Sequence, residues 1–308
     1  MRLLSLFCLF LSVGPGWAAP PVLRVPIDCT FGVSCFIQQY VDADPGPGAR
    51  DYTGGPLSYD GHKGTDFRLP DQEAMDAGVP VRAPATGRVL GLRNDMPDQL
   101  VTDAATVSGR ECGNGVVLDH GDGWQTQLCH LAEGSVLPRV GEIIEAGQIV
   151  GRIGLSGLTQ FPHVHLSVRR HGVVVDPFVD RLWAEPPAYE PGGFLSIGVS
   201  DDVPQFTEVK AGTADAPSLA ADAPALVVWA AMFGGRVGDV IALRITGPNG
   251  RDVLQHDATL DRTQAELFRA AGRRLTGARW RGGVYTGTAT LFRDGQMLDR
   301  IETRISIR

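Results

Sequence analysis

Pro162-His163-Val164-His165-Leu166-Ser167-Val168, then the turn Arg170-His171-Gly172, then Val173-Val174-Val175: this stretch decides the fold. Its apolar residues alternate with polar ones at period two, and a glycine-containing turn separates two such runs, which is the pattern of a β-hairpin. In a strand, residues two apart share a face. His163 and His165 therefore project together, while Val164 points the other way into a core.

The same pattern extends in both directions. Val79 to Ala83 leads through Ala85-Thr86-Gly87 into Arg88-Val89-Leu90. Gly115 to Asp119 turns at His120-Gly121-Asp122-Gly123 into Trp124 to His130, and Glu142 to Ile144 and Ile149 to Ile153 flank Gly147. Many short strands between Gly and Pro turns predict an all-β domain over 59–182. Residues 91–111 are polar, without strand periodicity, and read as an inserted loop. Residues 19–58 are rich in Pro, Gly and Asp and read as an irregular N-terminal arm. A Pro-rich linker occupies 183–194. Beyond it, 195–308 carries its own strand signals, among them Leu226 to Met232, Val240 to Ile245 and Tyr285 to Phe292, with turns at Gly247-Pro248-Asn249-Gly250 and Arg293-Asp294-Gly295. That spacing predicts a smaller immunoglobulin-like β-sandwich, with Thr263 to Ala271 as a helical crossover.

The chain has 308 residues, 43% of them hydrophobic, a composition of folded globular proteins. Residues 1–18 read as a signal peptide: Arg2, an apolar run through Leu11 too short to span a bilayer, and small residues ending at Ala18. Export to the periplasm is expected first and to the extracellular space second. Removing the leader takes Arg2 and moves the net charge from -7 to -8. No basic run stands out, which argues against nucleic acid as a partner. No transmembrane segment is expected after the leader. Cys29, Cys35, Cys112 and Cys129 remain, an even number that in an exported chain predicts two disulfides among three possible pairings. Sequence proximity favours Cys29–Cys35 and Cys112–Cys129; the second closes a loop worth about 3 kcal/mol in the chain-entropy account. A four-cysteine zinc site is the rival, weakened by the lack of C-x-x-C spacing.

The chemistry lies in His62-Lys63-Gly64-Thr65-Asp66 and His163-Val164-His165. Together they supply three zinc ligands and a spare imidazole, and a three-ligand site keeps its fourth position for water, as catalytic zinc sites do. Two neutral imidazoles and one carboxylate leave such a site with about one net positive charge, enough to acidify water toward neutrality. His130 ends a predicted strand. Alternation puts it opposite Cys129, which leaves the thiol for a disulfide and the imidazole for the groove. No His-Glu-x-x-His motif is present, so the proton carriers must be imidazoles. His120, His171 and His256 sit in or near turns and read as structural or surface residues. Ser156 in Gly154-Leu155-Ser156-Gly157-Leu158 lacks the last glycine of a nucleophile elbow and reads as loop.

His62-x-x-x-Asp66, the pair His130-Leu131, and Pro162-His163-Val164-His165 together resemble the M23 family of lysostaphin- or LytM-like zinc peptidases. The resemblance runs over roughly 59–178 and includes Pro84 to Val89, Gly113 to Val117 and Gly147 to Gly151 in order. It implies a LytM-like antiparallel sheet with a narrow groove, one Zn2+ per chain held by His62, Asp66 and His165, and catalysis by His130 and His163. It also implies peptidoglycan peptides, in stems or cross-bridges, as substrate. The 195–308 domain is then expected to position the enzyme or to meet a regulatory protein partner. The alternative in the same family is a non-catalytic cell-wall binder or activator of another hydrolase; loss of a zinc ligand would favour it, and none is lost. A biotinyl/lipoyl carrier barrel fits some of the strand pattern but needs a modifiable lysine, and no Lys lies between 64 and 209.

Overall fold

The computed structural model describes residues 19–101 and 103–308, so the signal peptide expected at 1–18 lies outside the described residues. The N-terminal unit is built on an eight-stranded antiparallel sheet in the order β1 (Phe36–Gln39), β2 (Thr65–Arg68), β9 (His163–Arg170), β6 (Trp124–Leu131), β5 (Asn114–Gly121), β4 (Gly87–Arg93), β7 (Ile143–Ile144). Its eighth strand, β10 (Val173–Val175), returns along β9 as the opening stretch predicts, and β3 (Pro80–Arg82) pairs with β8 (Ile149–Arg152) to one side. Alternation on β9 sorts the faces. Val164, Leu166 and Val168 are buried in the core with Phe67, Val116, Leu118 and Leu128, while His163, His165, Ser167 and Arg169 share the opposite face. Both expected disulfides are present, Cys29–Cys35 and Cys112–Cys129.

Two segments depart from their sequence reading. The N-terminal arm is more than irregular chain, because β1 pairs with β2 and extends the sheet by one strand. The 91–111 loop opens with the end of β4 and includes a short 3-10 turn at Ala104–Val107; Met96, Val101 and Val107 form a small core of their own against Leu158.

The C-terminal unit has two sheets, β11 (Gly193–Ser200), β12 (Ala225–Gly235), β15 (Gln264–Arg274) and β14 (Asp252–Thr259), β13 (Val240–Thr246), β16 (Gly283–Arg293), β17 (Gln296–Ile307). Residues of both sheets enclose one core, including Val228, Met232, Leu243 and Leu291. The arrangement departs from the constant immunoglobulin order, because β14 lies beside β13 instead of beside β15. The helical crossover expected at Thr263 to Ala271 is a strand. Ala265, Glu266, Leu267, Arg269, Ala270 and Ala271 are locally helix-tolerant, but their backbone pairs along β12 from Gln264 to Arg274, and tertiary pairing overrides weak propensity.

Short helices α1 (Gln72–Asp76) and α2 (Phe206–Ala211) lie at the seam between the units. β12 explains how the seam is sealed. Its alternate residues Leu226, Val228, Ala230 and Met232 face the sandwich core, while Trp229, Ala231 and Phe233 join the core of the first unit. Its continuous apolar run is the signature of a strand buried on both faces. Phe233 meets Phe36 with ring centroids 5.6 Å apart. Arg68, 1% exposed at its side chain, is paired across the seam with Glu266 at 3.0 Å. Arg293 holds the linker by donating to the carbonyls of Pro191 and Gly234 while paired with Asp239. Among the described residues no helix is long and apolar enough to cross a membrane.

A core shared in this way predicts one cooperative unfolding transition for both units, read by calorimetry. Phe233→Ala should lower stability by about 3–5 kcal/mol and shift that single transition. Two separated transitions would contradict a shared core.

Candidate metal centre and groove

The sheet register creates the site. β2 and β9 pair antiparallel with Asp66 opposite His165 and Arg68 opposite His163, and Cys129 of β6 flanks His165 on its other side. His62 reaches the same point from the loop before β2. His62 Nε2, Asp66 Oδ1 and His165 Nδ1 lie 3.2, 3.2 and 2.7 Å from one another. Gly64 permits this approach: a Cβ there would stand 2.5 Å from His165 Nε2.

The remaining nitrogens are committed elsewhere, which decides where the lone pairs point. His62 Nδ1 donates to Tyr40 O at 2.7 Å. Ser167 Oγ donates to Lys63 O at 2.6 Å, so the 3.1 Å contact with His165 Nε2 is a bond in which the imidazole donates. Both rings therefore present bare nitrogens to the Asp66 carboxylate, an arrangement that orients metal ligands.

Charge points the same way. Asp66 is 3% exposed. Burial opposes its ionisation, but the imidazoles of His62, His163 and His165 outweigh burial and hold its carboxyl well below the usual range. Burial likewise opposes protonation of His62, yet Asp66 raises it above the ordinary imidazole value. A buried anion requires a compensating cation, and the donor set of two imidazoles and a carboxylate fits zinc. Ligands of a tetrahedral site with bonds of about 2.0 Å stand roughly 3.3 Å apart, close to two of the three separations here.

His130 and His163 flank this set, their rings 4.6 Å apart. His130 Nδ1 donates to Ser156 O at 2.8 Å, and His163 Nδ1 to Phe161 O at 2.9 Å. Burial pushes His130 well below the ordinary imidazole value, and His163 and His165 push it further. Burial takes His163 down to about 4. At neutral pH both are therefore neutral rings with Nε2 bare, that of His163 standing 3.5 Å from Asp66 Oδ1. His130, His163 and His165 also bring three ligand atoms within 4.8 Å of one another, but that trio has no carboxylate.

His130 has φ 63°, a left-handed conformation uncommon for a non-glycine residue. Strand alternation thus stops one residue before it, and both Cys129 and His130 line the groove. The backbone around it is over-determined. His130 N donates to Cys112 O at 2.8 Å, and Cys112 is bonded through sulfur to Cys129. This is strain held by its surroundings, as at many functional sites.

All five residues singled out in the sequence converge here. His120 does not; it bonds Thr86 O and Thr126 Oγ1 away from the groove, and His256 is exposed on β14. Ser156 is buried, its hydroxyl spent on Leu131 O, and it acts through its carbonyl. The residues sequence reading missed are Tyr59, whose ring packs 4.4 Å from His62, and the groove-lining Gln39, Lys210, Gln264 and Glu266. No motif marks them.

Residues 60–177 match the family described as peptidase family M23. The chain carries an M23 peptidase domain. The chain is 31% identical over 121 residues to an uncharacterized metalloprotease of Haemophilus influenzae, covering 39% of this chain and 21% of that protein. It is 31% identical over 107 residues to the peptidoglycan DD-endopeptidase ShyA of Vibrio cholerae, covering 35% of this chain and 20% of that protein. The match thus spans about a fifth of the length of these curated relatives. A solved catalytic domain of a prophage-encoded M23 protein from Enterococcus faecalis is 23% identical, with TM-score 0.34, over 52% of this chain and 95% of that one.

Ser167→Ala removes the acceptor for His165 Nε2 and should weaken zinc binding about 10–100-fold, measured by competition with a chromophoric chelator. Unchanged affinity would show that the Ser167 contact does not orient His165.

Proposed function

We propose that this chain is an exported zinc endopeptidase that hydrolyses peptide bonds of peptidoglycan, in stem peptides or cross-bridges. The observation that carries the reading is the convergence of His62 Nε2, Asp66 Oδ1 and His165 Nδ1 within an M23 domain. The substrate class is that of the Vibrio cholerae relative, a peptidoglycan DD-endopeptidase. In this reading His62, Asp66 and His165 hold one zinc ion, which supplies Lewis acidity that lowers the pKa of water and polarises a carbonyl.

The chain's own groups do the rest. His62 and His165 keep bare nitrogens on the metal side because Tyr40 O and Ser167 Oγ take their N–H groups. His130 and His163, neutral and with Nδ1 committed, take the proton of the attacking water at Nε2 and return it to the leaving amine. Once protonated, an imidazole in this position also donates a hydrogen bond to the developing oxyanion.

The same reading retains the division expected from sequence: leader 1–18, arm 19–58, peptidase domain 59–182, linker 183–194 and accessory domain 195–308. It places the protein in the periplasm first, and leaves the accessory domain free to meet a regulatory protein.

The deciding experiment is digestion of purified sacculi by the purified protein, with and without chelator, and identification of released muropeptides by mass spectrometry. Chelator-sensitive release is expected, and no release with zinc present would defeat the reading. His165→Ala should fall from one zinc per chain to a small fraction by elemental analysis, since a two-ligand site is poor. His130→Ala and His163→Ala should keep their zinc and lose about 10²–10⁴-fold in rate. Loss of metal from either would place it among the ligands.

A further inference from the structure

The groove is walled by both units. A cavity of about 710 Å3 next to the histidines is lined on one side by Gln39, Asp66 and His163 and on the other by Lys210 of α2 and Gln264 and Glu266 of β15. That volume lies in the range of sites that enclose small organic ligands, and a short peptide is of that scale.

Two features of this wall have no structural use within the protein, and a third is only partly used by it. Gln39 is 6% exposed, yet its Oε1 has no hydrogen-bond partner. Gln264 Oε1 is buried and equally without one. Buried polar atoms left unpaired are costly, and each calls for an explanation. The third feature is Lys210. Its ammonium stands 3.3 Å from Glu266 and 5.7 Å from the centre of the Phe206 ring, which hold it at the cavity.

Glu266 is shared: it also pairs with the buried Arg68 at 3.0 Å. One carboxylate therefore serves two cations. Arg68 is otherwise occupied by the carbonyls of Leu69 and Pro70 and by Gln38. Asp71, whose charge also acts on Arg68, is committed to the N-cap of α1 through Ala74 N. An ammonium has three N–H donors, and Glu266 takes one from Lys210.

We propose that this wall is a specificity subsite in which Lys210 takes a carboxylate of the peptide substrate and the carboxamides of Gln39 and Gln264, turned into the cavity by side-chain rotation, take its main-chain amides. The proposal rests on the peptidase reading above and adds to it the chemical class of the substrate: an acidic peptide, extended across the seam. A carboxamide suits the amide role because it carries both a donor and an acceptor, as a peptide unit does. The accessory unit thereby becomes part of the binding site, and Lys210 a specificity-determining residue in a chain whose other lysine, Lys63, lies on the far side of the metal centre.

The test is calorimetric binding to the full-length protein held in chelator, so that nothing is cleaved. Two probes are used: a purified peptidoglycan stem peptide, and the same peptide with its carboxylates converted to carboxamides. Wild type should bind the acid form about tenfold more tightly, the size expected of one hydrogen bond to a charged group. Lys210→Met should erase the preference and Lys210→Arg should keep it, with Lys210→Gln replacing the Met variant if that one does not fold. Gln264→Ala should weaken both forms by a similar factor. Equal binding of the two forms by wild type, a preference that survives Lys210→Met, or no measurable binding of either peptide overturns the subsite. Hydrolysis with zinc is measured separately on the same pair. A kept preference without hydrolysis defeats the peptidase reading alone, and hydrolysis without preference defeats the subsite alone.

Discussion

A carboxylate buried among imidazoles is the constraint around which the molecule is arranged. Asp66 is nearly inaccessible, ionised, and faced by the bare nitrogens of His62 and His165. An anion in such a place is tolerable only with positive charge beside it. The surrounding contacts keep those nitrogens bare. The Tyr40 carbonyl takes the other N–H of His62, Ser167 takes that of His165, and Gly64 lets the loop cross the ring without a clash. A divalent cation between Asp66 and these two nitrogens would supply that charge and leave both outer hydrogen bonds in place.

The contacts that serve the centre come from well outside the two motifs. Tyr40 belongs to the N-terminal arm, which is held by the pairing of β1 with β2 and by ring packing of Tyr40 with Tyr52, Phe178 and Tyr189. Ser156 and Phe161, which aim His130 and His163, lie in the loop before β9 and act through backbone carbonyls. The C-terminal unit closes one side of the groove, because β12 buries alternate residues in two different cores. A sandwich that packed only on itself would leave Arg68 without Glu266 and the groove without its second wall.

Much of this was legible in the chain because it rests on local pattern. Period-two alternation in His163 to Val168 placed the two histidines on one face and Val164 beneath them, as found. Cysteine parity and proximity yielded the two disulfides, and the ordered set of His, Asp and Gly-containing segments marked the M23 domain. Even the double burial of β12 had a signal, in the unbroken apolar run Leu226 to Met232.

The rest was decided only in three dimensions. Asp66 and His165 are 99 positions apart, and their contact exists because the β2–β9 register sets them opposite each other, a choice made by the whole buried face. The left-handed backbone of His130 has no marker in a non-glycine residue; it is imposed by the Cys112 carbonyl and the disulfide beside it. Gln264 to Arg274 is a strand against its local propensity because β12 offers an edge to pair with. The acceptors at Tyr40, Ser156 and Phe161 are main-chain oxygens, which every residue type carries alike, so their roles could not be read from identity. Sequence determined which groups are available and which face each local segment turns inward. Tertiary structure decided which of them meet, because long-range register and burial are properties of the packed chain as a whole.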